Sequence, residues 1–265
     1  MLSLAALYRY PLKSAQAEVL THCSIAPIGL QYDRHWMLCT PDGQFLSART
    51  HPALLQLRCE TTASGFVLHA PDRASQAFQL SDFSAVTQVT VWESQFPAWQ
   101  ANAVLNQWCS DYLGEPVLLC WIGPESARRT KRRPEVPVSF SDGYPLLLIG
   151  EGSWHELNER AGQQFDILRF RPNLLIAGAE PFAEDRWQQI RIGEVLIDLV
   201  KPCERCVITT RDPVSGQMLP KGEPLRTLAK FRRAGSEVLF GQNAVPLNHG
   251  QLRLGQSVEI ISYKE

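Results

Sequence analysis

The chain has 265 residues, of which 45% are hydrophobic and 20% are charged, and this length suits one large globular domain or two smaller ones. The composition excludes a disordered chain, a collagen-like repeat and a coiled coil as descriptions of the whole protein. Because 26 basic residues oppose 27 acidic ones, no overall field draws the chain to nucleic acid or to an anionic membrane.

The seven cysteines are odd in number and mostly far apart along the chain. A secreted disulfide framework is normally shorter, denser in cysteine and even in count. The residues after Met1 lead directly into a strand-like segment without the basic region of a signal peptide, and no apolar run is long enough to span a bilayer. We therefore expect a soluble, cytoplasmic protein with reduced thiols and no membrane contact.

The first half of the chain is predicted to consist mainly of short strands separated by turns. Alternating or β-branched segments predict strands at 2–10, 36–40, 45–47, 54–60, 66–69, 86–92 and 117–122. One helix is predicted over 98–113, because its apolar residues recur at helical spacing and Gly114 follows as a stop signal.

The stretch 123–137 is the best candidate for a linker, because it combines prolines with a basic run at 128–133. That run is typical of a solvated loop, although it could also dock an acidic electron donor. It is too short, and too poor in aromatic residues, to favour nucleic-acid binding.

The second half is predicted to hold further short strands and two helices. Helices are expected at 152–160, where Ser153 and Glu156 fit a capping box, and at 225–233. Strands are expected at 145–149, 170–176, 189–192 and 195–200, with a closing pair at 251–263. Many short strands with few helices indicate a mainly β, α+β fold of the barrel or sandwich type rather than a doubly wound sheet.

The segment 201–213, KPCERCVITTRDP, carries the most chemistry and allows several interpretations. A zinc site is disfavoured because it needs four ligands and the six histidines are scattered. A thioredoxin-like pair is disfavoured because the flanking residues are typical of strands. Cys203 and Cys206 could be small, half-buried residues at a strand end. Alternatively, one could be a thiolate that Arg205 and Lys201 activate for metal binding or nucleophilic attack.

This segment resembles the signature of the MOSC family, named for the C-terminal domain of molybdenum cofactor sulfurase. Four further segments are similar to those of the family and occur in the same order across nearly the whole chain: YPLKS at 10–14, DRHW at 33–36, RFRPN at 169–173 and FGQN at 240–243. The YcbX-like and mitochondrial amidoxime-reducing component-like members are the most similar. The resemblance implies an N-terminal MOSC-type β-barrel domain over 1–122 and a MOSC domain over 123–265.

The resemblance also implies a molybdenum cofactor, Mo-molybdopterin, and a set of site residues. Cys206 would be the catalytic residue and the metal ligand, whereas the role of Cys203 stays open. The phosphate and pterin of the cofactor would be held by cations, hydroxyls, a carboxylate and an amide, which suit such groups. The matching positions are Lys13, Ser14, Arg34, Asp142, Arg171, Asn173, Arg205 and Thr209.

The activity implied is that of a molybdenum-dependent oxidoreductase that reduces small N-hydroxylated compounds such as amidoximes, hydroxylamines and N-hydroxylated bases. The chain ends at Glu265 without the four cysteines of a [2Fe–2S] domain, so we expect an external electron donor, either an iron–sulfur or a flavin reductase. The alternative is a molybdenum cofactor or sulfur carrier, with a persulfide on Cys206 and no reductase activity. The same residues would serve both functions.

Overall fold

The protein is described by a computed structural model that covers residues 1–264. Over this range it contains 19 β-strands and three α-helices, which confirms the mainly β, α+β fold. No helix among these residues combines the length and the apolar character needed to cross a bilayer.

The elements of the first half are short. They are β1 (Ser3–Arg9), β2 (Glu18–Leu20), β3 (His22–Ala26), β4 (Gly29–Leu30), β5 (Trp36–Cys39), β6 (Arg58–Thr62), β7 (Gly65–His69), β8 (Gln76–Phe78), β9 (Phe83–Val91), β10 (Ser94–Ala101), α1 (Ala103–Leu113) and β11 (Leu118–Trp121).

The second half contains the two longest strands, β15 and β17. Its elements are β12 (Leu146–Gly150), α2 (Glu151–Ala161), β13 (Leu174–Ala177), β14 (Trp187–Ile192), β15 (Val195–Glu204), α3 (Leu225–Phe231), β16 (Arg233–Ala234), β17 (Glu237–Pro246), β18 (Gly250–Arg253) and β19 (Val258–Tyr263).

The largest sheet closes into a barrel. Its strands run in the order β19-β14-β15-β17-β12-β13-β1, with β2 outside β1 and β16 beside β17. The backbone N–H of Leu4 donates to the carbonyl of Gln256 (2.9 Å) and that of Val258 to the carbonyl of Leu2 (3.0 Å), which joins β1 to the chain entering β19. Inward-facing aliphatic side chains fill the interior, and each contributes about 1.5–3 kcal/mol through its burial.

A second core lies on the N-terminal side, between the sheet β5-β11-β10-β9, the sheet β6-β7-β8 and helix α1. Trp36 lies fully buried at its centre, with its ring centroid 4.3 Å from that of Phe66. The two halves of the chain are interlocked, since β1 pairs with β13 and β3 pairs with β18. The division at residues 122 and 123 stays a prediction.

Three of the predicted elements have different bounds or a different type in the structure. The helix expected from residue 98 begins only at Ala103, because residues 94–101 form β10 and pair with β9. The strand expected over 170–176 begins only at Leu174, because Arg171 has a left-handed backbone. The strand expected over 54–60 is a 3-10 turn at Pro52–Gln56 followed by β6.

The capping box predicted for α2 is wrong. The helix begins at Glu151, so Ser153 lies within its first turn. The Ser153 hydroxyl donates instead to the carboxylate of Glu184 (2.8 Å) and accepts from the N–H of Phe182 (2.7 Å). The serine therefore anchors the helix to the 3-10 turn that precedes β14.

The basic run at 128–133 is only partly a solvated loop. Arg128 is 6% exposed and donates to the carbonyls of Ser139 (2.6 Å) and Ser141 (2.7 Å), so its charge is used inside the fold. On the surface, Lys131 pairs with Glu93 at 3.0 Å. Part of the positive charge expected to attract an acidic partner is thus already compensated.

Candidate functional site

Cys206 follows the end of β15, where the chain leaves the barrel. It has an extended backbone and begins a 3-10 turn over Val207–Thr210. The backbone N–H and the hydroxyl of Thr209 both donate to the carbonyl of Cys206, at 3.1 and 3.0 Å. The main chain at Cys206 is therefore fixed, while its thiol stays only partly buried.

Arg49 is the cation beside the Cys206 thiol, and sequence reasoning missed it. Its guanidinium donates to Ser47 Oγ (3.1 Å) and Asp142 Oδ2 (3.3 Å), and it lies near enough to Cys206 for the two groups to interact electrostatically. Burial opposes the charged form, but Asp142 and Cys206 together outweigh burial and raise the pKa of Arg49. Arg49, in the loop before β6, thus places a permanent positive charge beside the sulfur.

Asp142 links Arg49 to a second cation. Lys13 Nζ donates to Asp142 Oδ1 (2.5 Å) and to the carbonyl of Phe140 (2.8 Å). Burial lowers the pKa of Lys13, since its side chain is only 7% exposed, and Asp142 opposes that shift. Desolvation raises the pKa of Asp142, but Lys13 and Arg49 together outweigh it and keep the pKa below the usual range, although the side chain is 54% exposed. Asp142 thereby orients two cations at one opening.

Arg34 and Arg171 stack on the ring of Tyr10. Their guanidinium carbons lie 4.4 and 4.3 Å from the ring centroid. Arg34 pairs with Asp33 and donates to the carbonyl of Arg171 (3.2 Å), whereas Arg171 Nη1 donates to the carbonyl of Ala15 (2.7 Å). Two like charges held this close repel each other unless an anion lies between or beside them.

Three of the predicted site residues have left-handed backbones. The φ angles are 67° at Ser14, 52° at Arg34 and 54° at Arg171. A residue with a side chain loses roughly 1–2 kcal/mol in this conformation. Such strain persists only where the surroundings enforce it, and it concentrates at functional sites.

Asn173 is engaged by the protein itself. Its Oδ1 accepts from the backbone N–H of Leu147 (3.1 Å) and from Arg34 (3.0 Å), and its Nδ2 donates to the carbonyl of Tyr8 (3.1 Å). The side chain is 1% exposed. In this structure Asn173 positions Arg34 and joins β12 to β1, and contact with a pterin stays a prediction.

Arg205 pairs with the other cysteine of the motif. Its Nη1 lies 3.0 Å from Cys203 Sγ, and its Nη2 donates to the carbonyl of Phe170 (2.7 Å). The positive charge expected beside Cys206 thus comes from Arg49, whereas Arg205 adjoins Cys203. The five remaining cysteines, Cys23, Cys39, Cys59, Cys109 and Cys120, are buried, as expected for core residues.

Comparison with known proteins gives two consecutive matches that account for most of the chain. The description "MOSC N-terminal beta barrel domain" matches residues 1–116, and "MOSC domain" matches residues 135–259. Mitochondrial amidoxime-reducing component 1 of Danio rerio is 30% identical over 271 residues, which cover 96% of this chain and 83% of that protein. The chain belongs to the MOSC family.

Two further MOSC relatives extend this finding. Mitochondrial amidoxime-reducing component 1 of Homo sapiens is 28% identical over 280 residues, covering 98% of this chain and 83% of that protein. Molybdenum cofactor sulfurase of Oryza sativa subsp. japonica is 30% identical over 275 residues, covering 95% of this chain and 33% of that protein. These names indicate a function related to the molybdenum cofactor.

The MOSC site fits an anionic cofactor, because it offers more donors than the protein satisfies. Several buried polar atoms at the site have no hydrogen-bond partner: Tyr10 Oη, Arg171 Nη2, and the Nε atoms of Arg128, Arg169, Arg205 and Arg211. Each such orphan costs about 1–3 kcal/mol unless a ligand supplies an acceptor. The phosphate oxygens and pterin acceptors of a molybdopterin are groups of this kind.

The excess of positive charge at the site also favours an anionic ligand. Four cations of the site hydrogen-bond a carboxylate there: Lys13 and Arg49 pair with Asp142, Arg34 with Asp33, and Arg169 with Asp212. Four further arginines donate to backbone carbonyls: Arg128, Arg171, Arg205 and Arg211. Among residues 1–264 no group of three or more His, Cys, Asp and Glu side chains is placed to hold a metal ion.

Proposed function

We propose that this MOSC protein is a molybdenum-dependent oxidoreductase that reduces small N-hydroxylated compounds, namely amidoximes, hydroxylamines and N-hydroxylated bases. The proposal rests on one observation above all, the partly exposed Cys206 thiol beside Arg49 within a cluster of undersatisfied cations. The relatives named amidoxime-reducing components support it.

The residues of the site divide between ligation and anchoring. Cys206 would supply the thiolate ligand, and the positive charge of Arg49 lies beside it. Lys13, Arg34 and Arg171 would hold the phosphate and the pterin, because their guanidinium and ammonium groups suit oxyanions. A bound molybdenum cofactor would supply the metal chemistry that removes oxygen from an N–OH group.

The reaction proposed is a two-electron reduction. R–NHOH takes up two electrons and two protons and gives R–NH2 and water, so the N–O bond breaks and the oxygen leaves as water. The electrons come, in this proposal, from a separate iron–sulfur or flavin reductase. We propose the cytoplasm as the location, and the seven free thiols suit a reducing compartment.

Turnover of an amidoxime by protein produced in a host that makes molybdopterin tests this proposal. We expect the wild type to convert benzamidoxime to benzamidine with reduced methyl viologen as electron donor. We expect Cys206→Ser to lose activity together with molybdenum, and Cys203→Ser to retain the metal. A wild type that holds molybdenum but leaves benzamidoxime unchanged contradicts the reductase proposal.

One observation favours the alternative of a sulfur or cofactor carrier. A second partly exposed thiol, Cys203, lies close to Cys206 in the sequence and contacts Arg205, and thiol pairs of this kind can exchange sulfur. The similarity to molybdenum cofactor sulfurase agrees with this reading. Mass spectrometry of the purified protein separates the two, because a carrier would show a persulfide on Cys206 without molybdenum.

A further inference from the structure

Trp92 occupies a turn position that its side chain makes unfavourable. In the β9–β10 hairpin, Val91 pairs with Ser94, so Trp92 and Glu93 form a two-residue loop. The φ angle of Trp92 is 56°. A positive φ at the first position of such a loop favours glycine, because a Cβ atom crowds the backbone there.

Packing does not explain the presence of this tryptophan. Its surface is 47% exposed, so much of the indole lies in water. The ring rests on Phe45, at 5.0 Å between centroids, and on the guanidinium of Arg49, whose central carbon is 4.7 Å from the indole centroid. A tryptophan with a positive φ angle and a half-exposed ring contradicts both its local backbone preference and its preference for burial. Such residues are expected at functional sites.

The position of Trp92 relates it directly to the reactive thiol. Arg49 contacts the Trp92 indole, and Cys206 interacts electrostatically with the same guanidinium, so both side chains lie beside Arg49. Arg211, from the segment after Cys206, donates to the carbonyl of Arg49 (3.4 Å), which joins the two loops. Val207, the residue after Cys206, is also 39% exposed. A cation, an aromatic face and an aliphatic side chain therefore lie near the thiol.

We propose that Trp92 is a specificity-determining residue that stacks on the planar, conjugated part of an aromatic N-hydroxylated substrate. This inference rests on the proposed function and names the residue that favours its aromatic substrates, aryl amidoximes and N-hydroxylated heteroaromatic bases, over small aliphatic hydroxylamines. Arg49 keeps the indole in place through its cation–π contact. An exposed, fixed π-face binds flat conjugated groups whatever their substituents.

The test compares two substrates in four proteins. The ratio of kcat/KM for benzamidoxime to kcat/KM for hydroxylamine is measured in the wild type, Trp92→Gly, Trp92→Tyr and the control Val86→Ala. Val86 is an exposed side chain on β9 in the same hairpin. We expect the ratio to fall about tenfold in Trp92→Gly, mainly through KM for benzamidoxime, and to recover in Trp92→Tyr, because each stacked ring contributes about that factor.

A ratio that stays within about twofold of the wild type in Trp92→Gly overturns the proposal, even if both rates fall together. Should Trp92→Gly fail to fold, Trp92→Ala takes its place. Calorimetry measures the affinity of the oxidised proteins for benzamidoxime without turnover. It therefore separates the stacking role of Trp92 from the proposed reductase function. A wild type that binds the compound more tightly than Trp92→Gly but does not reduce it contradicts the reductase function alone, and equal binding contradicts the role of Trp92.

Discussion

Replacing Arg49 by alanine removes a cation that lies beside the Cys206 thiol. The substitution also takes one of two cationic partners from Asp142, which keeps its contact with Lys13. The Arg49 side chain is 24% exposed, so these bonds form in a largely desolvated setting. We expect the fold to survive, because Lys13 still neutralises the carboxylate.

The size of the effect follows from the hydrogen bonds that are lost. A hydrogen bond to a charged group contributes about 1.5–3 kcal/mol, which corresponds to about 10- to 150-fold in rate or affinity. We therefore expect kcat/KM for benzamidoxime to fall by one to two orders of magnitude in Arg49→Ala. Arg49→Lys should lie between, because an ammonium keeps the charge but lacks the fork that reaches two partners.

The assay measures kcat/KM together with molybdenum per chain, so that loss of chemistry is separated from loss of cofactor. Arg58→Ala is the matched control, since Arg58 is a 44% exposed arginine paired with Glu60. Full molybdenum content and activity within about twofold of the wild type in Arg49→Ala would refute the role assigned to this residue.

Three further predictions concern stability. Asn173→Ala should lower the free energy of unfolding by roughly 2–4 kcal/mol, because it leaves the Leu147 N–H and Arg34 without their acceptor; a smaller loss in urea titrations contradicts that role. Burial lowers the pKa of His35 from 6.5 to about 4, so the unfolded chain binds the extra proton between these values and stability falls by roughly 3–4 kcal/mol as pH drops through them. His35→Gln should flatten this part of the stability curve, and an unchanged slope would count against it. Asn102→Ala should lower the thermal midpoint by removing the cap on Leu105 N–H, at a cost of about 1 kcal/mol, and an unchanged midpoint would show that the cap is dispensable.

The motif residues could be predicted from the sequence because their spacing is characteristic of the family. The structure brings together Lys13, Asp142 and Cys206, which are far apart in the chain, with Arg49 as the link between the carboxylate and the thiol. That meeting depends on barrel closure, which no local pattern encodes.

Arg49 could not be predicted, because nothing in its neighbourhood distinguishes it from an ordinary surface arginine. It lies beside Cys206 through contacts between two distant loops, since Arg211, from the segment after the cysteine motif, donates to the carbonyl of Arg49 (3.4 Å). The basic run at 128–133 predicts a solvated loop, but Arg128 is buried. Its guanidinium donates to carbonyls of residues further along the chain, which the run itself does not reveal.

Strand β17 shows why secondary structure was missed. Its ten residues include Gly241, Asn243 and Pro246, which all disfavour strands locally. The strand forms because β12 and β15 pair with it on either side. At 98–101 the local pattern instead predicts a helix, because apolar residues recur at helical spacing. These residues form a strand because they pair with β9.

Metal and pterin analysis of the wild type and Cys206→Ser shows directly whether Cys206 ligates a molybdenum cofactor. Both proteins are produced in a host that makes molybdopterin, purified under the same conditions and analysed for molybdenum, pterin and persulfide. We expect molybdenum and pterin in equal, stoichiometric amounts in the wild type, and we expect Cys206→Ser to lose molybdenum. A metal-free wild type that carries a persulfide on Cys206, or a Cys206→Ser variant with its full molybdenum content, would contradict this expectation.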